Sequence, residues 1–279
     1  MQEPQINIGE IIFHHTSDAS EIETPFGAIH LPHWPDVHIG GLTVNFSPTK
    51  HVVFMILAAA LVLLTMWVAK RGLQKQRADR ETPRGFAGFI EFIVLWLRDD
   101  VVLPAVGRAN ARFVPFVVGL FFFVLYMNLL GLIPWGATAT GNLAVTGTLA
   151  IIVFLVVEIA GFLKLGFKGY MGTIFMHVPG MSGPGALAIS VAMAPIEILG
   201  KLVKPFALAV RLFGNMTAGH FVVLSLTGII LFFGNWLIGG VTAVVIAAIL
   251  LLETLVGALQ AYVFALLAAT FIGLMQHEH

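Results

Sequence analysis

The chain has 279 residues, 58% of them hydrophobic and only 11% charged, with a mean hydropathy of +0.93. Soluble domains run nearer half apolar and a quarter charged, so this composition excludes an ordinary soluble protein and points to a multi-span membrane protein. Fifteen basic residues balance fifteen acidic ones, giving no case for nucleic acid, and the lack of cysteine excludes disulfides, thiolate metal sites and thiol catalysis.

Residues 1–49 hold six acids (Glu3, Glu10, Asp18, Glu21, Glu23, Asp36) and no Lys or Arg. Five histidines there (His14, His15, His30, His33, His38) raise the question of a metal cluster. Pro32 and Pro35 break any helical ligand spacing, so scattered solvent-facing histidines are the expectation. His51 to Ala69 is an apolar run of 19 residues, about 28 Å as a helix, enough to cross a bilayer. Six bases come next in 70–84 (Lys70, Arg71, Lys75, Arg77, Arg80, Arg84) against two acids. Short basic loops stay in the cytoplasm, which places the acidic segment 1–50 outside and 70–84 inside. A cleavable signal peptide is not expected, because a basic leader is missing and the apolar run starts late. The membrane domain is then 51–279.

In the next block Phe86, Phe89, Ile90, Ile93, Leu97 and Val101 recur at helical spacing, interrupted by Glu91, Arg98, Asp99 and Asp100. This predicts an amphipathic helix on the inner surface over about 85–103, with a short sixth crossing as the alternative. Further crossings are expected at about 113–134, its inner end marked by Arg108 and Arg112, and 143–165, its inner end marked by Lys164 and Lys168. A Gly- and Pro-rich loop is expected over 166–184. Blocks 185–234 and 236–275 are too long for perpendicular spans, at about 75 and 60 Å against a need of about 30 Å. They read as two long, tilted helices forming a hairpin with its turn at 233–239, bent at Pro195, Pro205, Gly214 or Gly219. No Lys or Arg occurs after Arg211, so the parity of five crossings places the C-terminus inside. The expected fold is an all-α integral membrane protein with five transmembrane helices and one surface helix.

The two long blocks carry the residues that are expensive in lipid: Glu197, Lys201, Lys204, Arg211 and His220 in the first, Glu253 and Gln260 in the second. Glu197, Lys204 and Arg211 stand seven apart and form one helical stripe, with Asn215 one turn beyond Arg211. Glu253 and Gln260 are also seven apart and share a face. His220, nine residues from Arg211, lies half a turn round and about 13.5 Å along. Lys201 and Lys204 read most simply as snorkelling bases. Glu197 either pairs with Lys201 at i, i+4 or faces a cavity, and Glu158 is balanced between an interfacial and a functional carboxylate. No acid lies within seven residues of Arg211 in the sequence, so its counter-charge belongs to another segment or another subunit.

The stretch KPFALAVRLFGNMTAGH over 204–220 resembles the signature of subunit a of the F-type ATP synthase. NLLGLIP over 128–134, Pro195-Ile-Glu197 and LQAYVF over 259–264 agree with it in order and spacing, so the likeness covers about 45–275. RLFGNMxAG is a specific motif, whereas NLLGLIP alone is weak. The resemblance implies that Arg211 is the arginine facing a rotating ring of c subunits, that Gln260 is the glutamine beside it, and that Asn215 and Glu197 line aqueous half-channels. It implies an acid–imidazole pair at His220 and Glu253, exchanged relative to several bacterial chains and ordered as in mitochondrial ones. The hairpin would then lie against the c-ring, and the partners would be the c-ring, the peripheral-stalk subunit b, the rest of the synthase and the lipid bilayer. The resemblance further implies a multi-pass place in the cell membrane, proton translocation without catalysis by this chain, and no cofactor. The sequence holds no GxxxxGK[ST] loop for binding ATP. A proton- or cation-coupled secondary transporter is the alternative, weakened by the lack of a convincing internal repeat. An inert scaffold would need neither Arg211 nor Glu253.

Overall fold

The computed structural model describes residues 18–24, 27–39, 42–45, 47–79, 82–133, 136–175, 184–233 and 235–277. Part of the acidic segment, His14 and His15, Pro134 of the NLLGLIP stretch and residues 176–183 of the expected loop 166–184 lie outside them. Two short antiparallel hairpins come first: β1 (Glu21–Thr24) with β2 (Gly27–His30), then β3 (Val37–Ile39) with β4 (Leu42–Val44). The main helices are α1 (Lys50–Ala78), α2 (Gly85–Trp96), α3 (Val114–Gly131), α4 (Leu143–Ile174), α5 (Pro184–Phe233) and α6 (Trp236–His277). Among the described residues, five helices are long and apolar enough to cross a membrane. The protein is an all-α integral membrane protein with a small β addition at its N-terminal end.

Contacts divide the chain into two units, residues 1–63, 123–145 and 212–261 in the first and 64–122, 146–211 and 262–279 in the second. Within the first, residues 18–20 are tied to later segments: Lys50 N donates to Ala19 O at 3.0 Å and Leu31 N to Ser20 O at 2.8 Å. The centre is an amide in an apolar helix. Asn128 is 1% exposed on α3, donates from Nδ2 to Gly257 O on α6 at 2.9 Å, and accepts from Thr140 Oγ1 at 2.9 Å. A buried amide is costly unless its groups are paired, and here the pairing joins α3, the 136–142 connection and α6. Gly257 lets the helices approach, since a Cβ there would lie 3.2 Å from Asn128 Cβ and 3.3 Å from Met216 Cε. α5 ends at Phe233 and α6 begins at Trp236, so the turn is two residues, tighter than the expected 233–239, and Gly239 already lies in α6. Asn235 makes this possible by accepting Leu237 N on Oδ1 at 2.9 Å, a helix N-cap.

The second unit corrects three expectations. The basic stretch does not form a loop at 70: α1 continues to Ala78 and packs on α2. Arg77 pairs with Glu91 at 3.0 Å, and Gln76 exchanges two hydrogen bonds with the Arg84 backbone at 3.1 and 3.2 Å. The expected surface helix passes after Trp96 into a π-helical stretch Leu97–Val102 and a last α turn Leu103–Val106. Its apolar stripe splits: Ile90, Leu97 and Val101 are buried, while Phe86 and Phe89 point outward with Phe92. The two chemistries differ in partner, aliphatic groups meeting protein and aromatic rings left on the outer face.

The third correction concerns 166–184. Gly166 has φ +66° and ψ 179°, a conformation open to glycine, and α4 resumes helical geometry beyond it as far as Ile174. The Tyr170 hydroxyl donates to Glu158 and its ring stands edge-on to Phe162 with centroids 5.8 Å apart. In an unbroken helix, residues 12 apart are about 18 Å distant. The chain therefore turns back at Gly166, and the expected break is a sharp reversal rather than the start of a loop. α6 packs through small residues in this unit, with Ala265, Ala268, Ala269 and Ile272 fully buried. Gln276 Nε2 donates to Ala160 O at 3.0 Å.

Candidate functional site

In the first unit, α5 and α6 bring His220 and Glu253 together. His220 Nδ1 lies 3.3 Å from Glu253 Oε1, and Nε2 of the same ring hydrogen-bonds the Thr138 hydroxyl. Glu253 is 6% exposed, and its Oε2 has no hydrogen-bond partner among the described residues. The carboxylate fits because residue 219 is glycine: a Cβ there would stand 2.7 Å from Glu253 Cδ. An imidazole, a carboxylate and a hydroxyl in contact can store, pass and reorient a proton near neutral pH. Gly219→Ala is expected to push the Glu253 side chain off His220 and destabilise the packed hairpin by about 1–3 kcal/mol, as overpacking does. Pumping by membranes carrying Gly219→Ala, together with thermal stability of the purified complex, checks this.

The other expected residues are placed as follows. Arg211 and Asn215 are both exposed on α5, one turn apart. Gln260 is buried on α6. Glu197 is half-buried on α5 in the second unit. There it lines a cavity of about 60 Å³ with Glu158, Lys201, Lys204, Pro205 and Phe271 among its walls.

Lys201 meets Glu158 at 3.7 Å and donates to Thr173 Oγ1 at 2.9 Å, with the Tyr170 ring centroid 4.8 Å away. Its ion-pair partner is thus Glu158 on α4, not the Glu197 considered at i, i+4, and both charged side chains are largely buried. Lys201 is held by protein partners on α4; Lys204 is exposed, its ammonium 5.5 Å from the Phe271 ring centroid. Glu158 is a partnered carboxylate.

Sequence reasoning passes over Thr138, Thr140, Asp18 and His51. The NLLGLIP likeness signals Asn128 without its bonding role. Nothing local to the sequence signals Asp18 and His51, 33 residues apart, whose side chains meet at 2.7 Å. His30, His33 and His38 are exposed, and among the described residues no three of His, Cys, Asp or Glu stand where they would hold a metal.

Long apolar helices with ionisable groups held inside the last two define a multi-pass membrane protein built to move ions. The chain matches the ATP synthase A chain family over residues 52–273. It is 42% identical to the ATP synthase subunit a of Chloroherpeton thalassium over 267 residues, 95% of this chain and 76% of that one. It is 41% identical to subunit a 2 of Chlorobaculum tepidum over 95% of this chain and 72% of that one. Against subunit a of Myxococcus xanthus the identity is 42%, over 85% and 76%. The chain belongs to the ATP synthase subunit a family. It is accordingly an ion-translocating membrane-sector subunit of the ATP synthase complex, not catalytic by itself, and a multi-pass protein of a bacterial cell membrane.

Proposed function

We propose that this chain forms two proton half-channels and passes protons to and from the carboxylates of a c-ring, coupling ion flow to rotation. The observation that carries the reading is the His220–Glu253 contact, an acid and an imidazole held against each other inside apolar helices. The pair works on the external path with Thr138. Glu197, on the wall of the second unit's cavity, serves the inner path. Arg211, exposed on α5, meets each ring carboxylate as it arrives, Asn215 one turn away keeps that surface polar, and the Gln260 amide tempers the hold on the carboxylate. The ring, with subunit b of the peripheral stalk, is the partner. A secondary transporter would need no such ring.

Single-cysteine labelling tests the arrangement, and no native cysteine competes. With segment 1–50 outside, Ser20→Cys is expected to react with an impermeant thiol reagent from the external side. Thr138→Cys is expected to react with small silver ions from that same side, with loss of pumping. Cross-linking of Asn215→Cys to a small hairpin subunit that carries its own cysteine supports the ring. Labelling of position 20 from the cytoplasmic side alone overturns the orientation, and failure of position 138 to react from outside overturns the external path.

A further inference from the structure

A second acid–imidazole pair stands in the first unit, apart from the His220–Glu253 contact. His51, at the start of α1, is 4% exposed, yet its Nδ1 donates to Asp18 Oδ1 at 2.7 Å. Asp18 is not buried: its side chain is 36% exposed. Its other oxygen accepts from Asn142 Nδ2 at 3.4 Å, and Lys50 N holds the neighbouring Ala19 O at 3.0 Å. The pair therefore joins water to the protein interior, one group wet and the other dry. The charged and titratable groups around His51 are Asp18, Lys50 and His220. The Asn142 that holds Asp18 lies four residues from the Thr138 that holds His220, so one short connection carries a contact to each pair. The sequence adds that residues 1–49 carry six acids and no Lys or Arg, a net negative charge of the kind that concentrates cations, protons among them.

We infer that Asp18 and His51 are a proton-collecting relay that feeds His220 and Glu253. The inference rests on the proposed external path and deepens it. The Asp18–His51 pair takes one proton from external water, its net charge going from −1 to 0. It then releases one proton on the His220 side and returns to −1. Chains of Asp, Glu and His serve as proton relays inside membranes, and two groups so close share their protons as a unit. A tether that merely pins residues 18–19 to α1 would need the hydrogen bond but not the proton.

Asp18→Asn separates the two, since the amide oxygen still accepts from His51 Nδ1 while the group no longer titrates. The test uses the complete synthase in liposomes, with ATP synthesis driven at constant proton-motive force by a potassium diffusion potential. The pH on the external face is varied, and the amount of this subunit is measured in each preparation. Asp18→Asn and His51→Gln are expected to lose about fivefold in rate near pH 8, where free protons are scarce, and to approach wild type near pH 5.5. Asp18→Glu should restore the wild-type profile. Wild-type profiles for both Asp18→Asn and His51→Gln overturn the relay, as does a loss that is equal at every pH and tracks lowered subunit content. Glu253→Gln is run alongside. Slowing there, with Asp18→Asn and His51→Gln unaffected, removes the relay and leaves the external path standing. Wild-type rates in Glu253→Gln remove both.

Discussion

Arg211→Ala is expected to abolish coupled ATP synthesis and to open a passive proton leak. Arg211 is exposed on α5 within an apolar stretch, where a charge costs at least about 2.5–3.5 kcal/mol if it faces hydrocarbon. In the proposed mechanism that cost is offset by what a fixed cation does to a carboxylate arriving from a neighbouring subunit. Within about 4–6 Å it lowers an acid's pKa by 1–3 units, so its loss makes release of the ring proton about 10- to 1,000-fold less favourable. A guanidinium also never gives up its proton at cellular pH, so in the proposed mechanism it is the barrier between the two half-channels. Arg211→Lys keeps charge but loses the planar spread of donors and the very high pKa, and synthesis is expected to fail there too. The measurements are ATP synthesis in reconstituted vesicles and passive proton flux with the catalytic head stripped off. Near-normal synthesis in Arg211→Ala would end the rotary reading of this residue.

Glu253→Gln and His220→Ala should each slow ATP-driven pumping by about tenfold or more while the complex stays assembled. Glutamine has the shape of glutamate, so the space beside Gly219 remains filled and the helices stay packed. What disappears is the carboxylate to which the proposed path assigns a proton, including an oxygen that no described protein group engages. His220→Ala also strips Thr138 of its ring partner, and its effect should be the larger on stability. The double exchange His220→Glu with Glu253→His should regain part of the rate, because the two groups are in contact and either order leaves an acid beside an imidazole. Wild-type pumping in both single variants would make these residues tolerated polar groups and nothing more.

The helical periods and the RLFGNMTAGH stretch make the membrane class, the number of crossings and the family legible in the amino-acid order alone. Apolar length is a local property, and a bilayer reads it locally. Contacts between distant segments are not legible in that way. Glu158 is poised between two readings because its partner Lys201 is 43 residues on, and the chain reverses at Gly166 to add Tyr170. His51 looks like the first residue of an apolar run, since Asp18 sits 33 residues earlier. The short hairpins at 21–30 and 37–44 give no sequence signal, because strands of three or four residues leave too brief an alternation to detect. The basic stretch resembles a loop by its charge, although helical Lys and Arg are common; the counter-charge of Arg77 is Glu91, on a different helix.

The two-residue turn between α5 and α6 bears on how the protein is made as well as how it works. A lone α6 entering the bilayer would carry the Glu253 side chain into hydrocarbon, at about 2.5–3.5 kcal/mol for an acid at a helix centre. It would also enter without topological instruction, as no basic residue occurs after Arg211. With Asn235 starting α6 directly after α5, the two helices are expected to enter the bilayer as one hairpin, which would bring His220 to Glu253 during entry instead of afterwards. A flexible stretch of ten residues spliced in at 235 would cost the finished fold little, since loop closure grows only slowly with length. It would cost biogenesis much more, by separating two insertion events that the short turn fuses.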